Sequence, residues 1–356
     1  MNEDLAYALR SFGLAPDTAI VEPWGGGHIH ETLRAAAPAG ERLVLQRIND
    51  QVFPDPVAVT ESIRRVTGHL NARPDRQRAP CLVEADDGAV CVEAPGGTFW
   101  RAYRFIEGTR TFDVVESTDM ARRAAFAFGA FQRDLADLPP PRLPETIPAF
   151  HDTPARFRAL RDAVEADDSG RVAPCGVEIE RAFARESLAP VLTTARDAGD
   201  LPERVTHNDT KLDNILFDSA TGEAVCAIDL DTVMPGVGPF DFGDMVRTMS
   251  CHAAEDERDL SKVEADPDLV VALAEGYLRS LGEIAGPVER ELLVISGEVL
   301  TFTMAIRFLA DFLRGDVYYR TARPDQNLDR ARAQLKLLDS LTRRREELEK
   351  RVARLS

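Results

Sequence analysis

A chain of 356 residues with a formal net charge of −17 and 44% hydrophobic residues is longer than one average domain and has enough apolar material for a large soluble core. The acidic balance argues against a nucleic-acid backbone or an anionic membrane as partner, since both need clustered Lys and Arg to displace counterions; a small neutral or cationic substrate suits it better. Five scattered cysteines, Cys81, Cys91, Cys175, Cys226 and Cys251, fit neither a disulfide framework nor a zinc site and read as reduced core residues.

The opening MNEDLAYALR has neither the basic region nor the apolar run of a signal peptide, and no apolar stretch approaches the ~18 residues of a membrane span, so a cytoplasmic location is expected. NEDLAYALRSFGL reads as an amphipathic helix stopped near Gly13, and TAIVEPW as a strand. TLRAAA and RLVLQRI form an antiparallel hairpin across Pro38, Ala39 and Gly40. Asp55 and Pro56 start a helix on which Val59, Ile63, Val66 and Leu70 repeat at helical spacing. APCLVEA, AVCVEA and FWRAYRFIEG supply further strands. Beyond Phe112 the pattern turns helical, interrupted by the stiff connection DLPPPRLPETIP and by a strand-loop-strand region near 205–230. The expectation is an α+β, two-lobed architecture: a small sheet lobe over 1–108 and a larger helical lobe over 109–356, with ligands in the cleft between them.

The segment RVTHNDTKLDNILFD places His207, Asp209, Lys211 and Asn214 in the order H-x-D-x-K-x-x-N, the pattern of a kinase catalytic loop. Phosphoryl transfer needs a carboxylate to orient and deprotonate the attacking hydroxyl, a cation near the γ-phosphate and an oxygen ligand for Mg²⁺. Asp209, Lys211 and Asn214 supply these, with His207 bracing the loop. Asp229, at the end of VCAIDLD, is the second Mg²⁺ ligand, and Asp231, two residues on and on the same strand face, is a weaker candidate for the same ion. Asp241, Phe242 and Gly243 spell the DFG triplet that binds metal in protein kinases, but they run straight into GDMVRTMS, so Asp241 is expected to cap that helix and brace the loop.

On the nucleotide side, Gly25, Gly26 and Gly27 in WGGGHIHET lie between strand-like runs and would let backbone N–H groups approach the phosphates of ATP. Arg47 is the basic side chain placed to hold those phosphates, although alternation puts Gln46 and Arg47 on opposite faces and one must point away. Its expected helix partner, Glu61, lies nearly opposite the apolar stripe of that helix. The backbone from Phe105 through Glu107 to Gly108 is the hinge expected to meet adenine.

Through GGGHIHET, LVLQRIN, WRAYRFIEG, ETIPAFHDTP, THNDTKLDN, IDLDTVMPG, DFGDMVR and RFLADFLRGDVYY the chain resembles the aminoglycoside phosphotransferase and choline kinase-like superfamily, and within it the N-acetylhexosamine 1-kinases. The resemblance implies a protein-kinase-like fold, Asp209 as catalytic base, Mg²⁺ on Asn214 and Asp229, and a sugar 1-phosphate as product. It also directs attention to Arg307, a charge within the apolar TFTMAIRFLADFL. Either Arg307 is salt-bridged to Asp311 or Asp316, or it reaches into a sugar pocket. Tyr318 could stack on or hydrogen-bond a sugar, and Thr232 lies near the metal strand; His151 and Asp152 read as a helix start. The acceptor stays open between N-acetylglucosamine, N-acetylgalactosamine or another hexose, an aminoglycoside or another alcohol; an inactive nucleotide-binding protein is the non-enzymatic alternative.

Overall fold

The computed structural model describes residues 1–25, 29–38, 40–74 and 78–355. The amphipathic N-terminal segment forms α1 (Glu3–Ser11), with Asn2 accepting from the Leu5 N–H as its cap. Strands β1 (Ile20–Pro23), β2 (Glu31–Ala36) and β3 (Arg42–Arg47) follow, then α2 (Pro56–Asn71), β4 (Val92–Glu93) and β5 (Phe99–Arg104). They form one antiparallel sheet in the order β1-β2-β3-β5-β4. Ala39, in the expected β2–β3 turn, lies outside the described residues.

Strand alternation gives this sheet two chemically different faces. Leu33, Ala35, Leu43, Leu45, Trp100 and Ala102 pack on Ala8, Leu9 and Phe12 of the α1 segment. On the other face the register sets Thr32 opposite Gln46 and Gln46 opposite Arg101, a polar row facing the rest of the chain. APCLVEA and AVCVEA yield less strand than their composition suggests: one bridge at Leu82 and the two-residue β4. Turns closed by the Gly88 and Gly97 amides, which donate to Ala85 and Ala94, take up the rest. α2 begins as expected, its Asp55 cap accepting from the Ala58 N–H, and buries Val59, Ile63, Val66 and Leu70.

The chain leaves the sheet at Gly108, whose φ of 70° suits glycine. It then forms β6 (Thr109–Arg110), α3 (Thr118–Asp134), α4 (Thr153–Ala166), α5 (Gly176–Phe183) and α6 (Val191–Asp197). Next come β7 (Arg204–Thr206), β8 (Ile215–Asp218), β9 (Ala224–Ala227) and β10 (Met234–Gly236), and finally α7 (Gly238–Met249), α8 (Pro267–Leu281), α9 (Pro287–Leu313) and α10 (Gln326–Val352). Two short ladders, β6-β8-β9 and β7-β10, hold the loop region where the kinase-like motifs fall. Gly129 and Gly276 let α3 and α8 approach closely: a Cβ on either would collide with Ser280 or with the Arg122 backbone of the facing helix.

This is the expected mixed architecture, an N-terminal antiparallel sheet followed by a larger helical part. One expectation needs correction. α9 is long and apolar enough by length and composition to cross a membrane, contrary to the sequence reading, but 89% of its most apolar stretch is buried inside the fold, as suits a central core helix.

Candidate active site

The run from His207 to Asn214 leaves β7 and enters β8, and almost every polar atom of its first half is held. The His207 and Asn208 amides donate to the two carboxylate oxygens of Asp241, at 3.0 and 2.7 Å, and Gln132 Nε2 adds a third bond at 2.6 Å. One turn further along α7, Asp244 accepts from the Thr210 amide at 2.8 Å while Arg247 Nε neutralises it at 2.7 Å. Residues three apart share a helix face, so α7 presents both carboxylates to the loop. The DFG triplet therefore lies inside α7, and burial pushes the Asp241 carboxyl upward against the donors that stabilise its ionised form. The expected bracing contact is present. The expected cap is not: Val237 occupies that position without a side-chain bond.

His207 donates from Nε2 to the Ile228 carbonyl at 2.9 Å and accepts the Asp209 amide at Nδ1, between the edges of Phe128 and Phe131. Asn208 adopts the left-handed conformation, φ 66°, that asparagine tolerates, and donates from Nδ2 to the Thr206 and Thr232 carbonyls. His151, just before the α4 cap Asp152, donates from Nε2 to the Asn208 carbonyl at 2.9 Å. Its Nδ1 is buried without a partner, and burial pushes its pKa down to about 4. Sequence reasoning assigned FHDTP to a helix start and missed this contact.

With its backbone fixed, the loop turns Asp209 toward Lys211 and Asn214. Asn214 Nδ2 donates to the Asp209 carbonyl at 2.8 Å and to its Oδ2 at 3.0 Å, leaving Asn214 Oδ1 free to accept. Lys211 Nζ lies 3.7 Å from Asp209 and 3.5 Å from Asp213, and the Asp209 charge foremost keeps it protonated. β8 and β9 pair antiparallel, and the Ile228 amide donates to the Asn214 carbonyl, which brings Asp229 beside the loop. Asp229 is exposed on one side, and protein crowds its carboxyl on the other. That enclosure, then the Asp231 and Asp209 charges, push it up to about 6 against Lys211 and His30.

Asp231 takes no part beside Asp229. β9 ends at Ala227, Asp229 turns through φ 61°, and Asp231 falls in a single helical turn rather than on the same strand face. There Arg101 of β5 grips both its oxygens at 2.7 and 2.5 Å, and His30 Nε2 lies 3.3 Å away. Burial alone would raise this carboxyl; Arg101 and then His30 hold it well below the usual carboxylate range. Arg101 also donates twice to Gln46 Oε1, at 2.9 and 2.8 Å, so a chain Thr32–Gln46–Arg101–Asp231, half-buried at Thr32 and Gln46 and buried at Arg101 and Asp231, ties the sheet to the loop region.

That chain settles which of Gln46 and Arg47 faces inward. Gln46 does; Arg47 lies on the opposite face, exposed, 3.5 Å from Glu31, while Glu61 pairs with Arg64 on the surface of α2. The expected Arg47–Glu61 pair is absent, because Arg47 and α2 lie on different sides of β3. The buried cation on this sheet is Arg101, which the sequence signalled only as a charge between Trp100 and Ala102. Gly25 has a φ of 75°; Gly26, Gly27 and His28 lie outside the described residues. At the expected hinge, the Phe105 amide donates to the Arg42 carbonyl, its ring meets Trp24 edge-on at 5.5 Å, and Glu107 pairs with Arg42.

The family model described as phosphotransferase enzyme family, the APH family, matches residues 20–292, most of the chain. The chain belongs to that family. It is a phosphotransferase. Among solved structures it is similar to a microcompartment-associated aminopropanol kinase, with a TM-score of 0.61 and 14% identity over 98% of both chains. An amicoumacin kinase in complex with AMP-PNP and Ca²⁺ superposes with a TM-score of 0.62 and 13% identity, over 94% of this chain and 92% of that one. An aminoglycoside phosphotransferase from Alicyclobacillus acidocaldarius gives 0.58 and 15%, over 92% of both. At these identities the likeness is one of fold.

The remaining candidate residues of this phosphotransferase lie on and around α9. Arg307 pairs with neither Asp311 nor Asp316: Asp311 accepts the Val317, Tyr318 and Tyr319 amides and Asn327 Nδ2, and Asp316 pairs with Arg171. Arg307 lies 4.8 Å from the Phe150 ring, 5.8 Å from Tyr318 and 5.5 Å from Tyr319, and among the described residues its polar contact is Met304 Sδ. Phe150 in turn packs on His151, which holds the loop from His207 to Asn214. Tyr318 is half exposed. Thr232 is buried, and its hydroxyl donates to the His207 carbonyl at 2.7 Å, so it braces the loop.

Proposed function

We propose that this phosphotransferase moves the γ-phosphate of ATP to the anomeric hydroxyl of an N-acetylhexosamine or related hexose, giving a sugar 1-phosphate. The nucleotide is held between residues 1–108 and 109–356, with the backbone from Phe105 through Glu107 beside adenine and backbone N–H groups of Gly25, Gly26 and Gly27 serving the phosphates. Asp209 takes the proton of the acceptor hydroxyl as its oxygen bonds to the γ-phosphorus. The bond from that phosphorus to the bridging oxygen breaks, and ADP leaves with the electron pair. Lys211 lies close enough to Asp209 to serve the transferring phosphoryl group with its positive charge.

The residues fit a divalent cation. Asn214 has an acceptor oxygen to spare, and Asp229 is an enclosed carboxylate raised by neighbouring negative charge, a situation a cation relieves. No cluster of three His, Cys, Asp or Glu side chains is arranged to hold a metal among the described residues. That suits Mg²⁺, which takes one or two protein oxygens and fills its shell with phosphate and water. Bound there, it would neutralise charge on the β and γ phosphates.

The observation that carries the choice of acceptor is Arg307, a guanidinium without a carboxylate partner among the described residues, set among Phe150, Tyr318 and Tyr319 next to the catalytic loop. A cationic amino alcohol meets like charge there; a neutral ring offers hydroxyls to the guanidinium and a C–H face to the aromatics. Initial rates with N-acetylhexosamines and plain hexoses, set against aminopropanol, choline and an aminoglycoside, test the reading. Turnover confined to the reducing sugars is expected; preference for the amines would replace it with the amino-alcohol or aminoglycoside alternative, which the acidic composition would suit.

A further inference from the structure

On the side of α3 away from the catalytic loop lies an open cavity of about 590 Å³ between α3, α8 and β9. Helical spacing explains the separation. Arg123, Phe126, Ala127, Ala130 and Arg133 form one stripe along α3 and line the cavity. Phe128, Phe131 and Gln132 form another and meet His207 and Asp241.

Five arginines border the cavity, Arg78, Arg122, Arg123, Arg133 and Arg279, against two carboxylates, Asp119 and Glu223. In a chain of net charge −17 this local excess of cations stands out. Arg78 and Arg279 are exposed and make no ion pair among the described residues. Arg122 and Arg123 pair with Asp119, Glu275 and Glu223, but those carboxylates are themselves open to solvent, and such screened surface pairs are weak enough to be exchanged for a stronger anion. The ring of Phe126 is 40% exposed on the cavity wall and so offers an open apolar surface to a ligand.

Guanidinium forks match phosphate oxygens two at a time, and a flat heterocycle stacks on an exposed phenyl ring or on the guanidinium planes. The volume suits a small ligand, and the acidic surface beyond the cavity disfavours a polymer. We propose that this groove is a second, non-catalytic binding site for a nucleoside diphosphate, its phosphates on Arg78, Arg122 and Arg279 and its base over Phe126. The inference does not depend on the identity of the acceptor or on the roles assigned around Asp209.

Equilibrium dialysis with ADP, on the wild type and on the doubly charge-reversed Arg78→Glu, Arg279→Glu protein, tests it. Both positions are exposed and lie outside the run from His207 to Asn214, and circular dichroism checks that the variant is folded. The wild type is expected to bind one more ADP per chain than the variant, whether or not the cleft also takes one. In Phe126→Ala the extra site weakens by about tenfold, the scale of one lost stacking contact. Equal stoichiometry and affinity in wild type and charge-reversed protein overturns the proposal.

Discussion

Replacing Arg101 by Met keeps most of the side-chain volume and removes the charge that neutralises Asp231. Both partners are essentially inaccessible, at 1% and 2% exposure, so the orphaned carboxylate cannot recover its hydration. Removing one partner of such a buried pair costs about 3–5 kcal/mol. Two bonds from Arg101 to Gln46 vanish as well, and Gln46 Oε1 is left facing a thioether. Urea unfolding of the purified variant should show a loss of that size. Asp231→Asn in the Arg101→Met background should recover part of it, because the second change removes the unpaired charge. The pH dependence has a definite sign: Arg101 depresses the Asp231 carboxyl, so the wild-type advantage is fully present above about pH 4, the unfolded value, and fades as the pH falls below it. A loss below about 1 kcal/mol for Arg101→Met, the scale of a surface pair, or a double variant no better than the single one, would refute the reasoning.

His151 is buried with its Nδ1 unpartnered and its pKa lowered to about 4, so the unfolded chain takes up a proton first as the pH falls below about 6.5. The wild type should lose up to about 3 kcal/mol between pH 6.5 and 4 from this group, and His151→Gln should flatten that part of the stability profile; identical profiles would rule the effect out. Asp241→Asn should lower kcat by about tenfold or more, with unfolding reporting only a modest loss, because an amide can satisfy at most one of the two loop amides that the carboxylate now accepts. Arg307→Met should raise KM for the sugar by about tenfold with kcat little changed; a fall in kcat alone would move Arg307 from acceptor binding to the chemical step.

Local signals carried much of the fold. Asp55 and Pro56 start α2 because a capping carboxylate and a fixed φ act within one turn, and the stripe from Val59 to Leu70 buries as its spacing requires. The run from His207 to Asn214 was legible for the same reason: its residues meet within one loop. What the sequence could not carry was long-range pairing. The parity of Gln46 and Arg47 depends on the register between β3 and β5, which also decides that Arg101 shares a face with Gln46. The bond from Arg101 to Asp231 spans 130 positions, and the bond from His151 to Asn208 spans 57. Neither has a local signature beyond a polar residue in apolar surroundings. Asp231 was read as a strand neighbour of Asp229 because IDLD continues an apolar run; the positive φ at Asp229 breaks that alternation. In α9 the charge of Arg307 stands out against its apolar neighbours, but only the tertiary packing reveals that Asp311 and Asp316 are engaged elsewhere.

Asp209 is proposed to direct phosphoryl transfer onto the anomeric hydroxyl of a hexose. Phosphorus NMR of the product formed from ATP, Mg²⁺ and N-acetylhexosamine tests it most directly, with wild type and Asp209→Asn run side by side. The account predicts a sugar phosphate whose phosphorus couples to the anomeric proton, formed by the wild type and lost in the variant. Phosphate on any other hydroxyl, or undiminished turnover by Asp209→Asn, would contradict it.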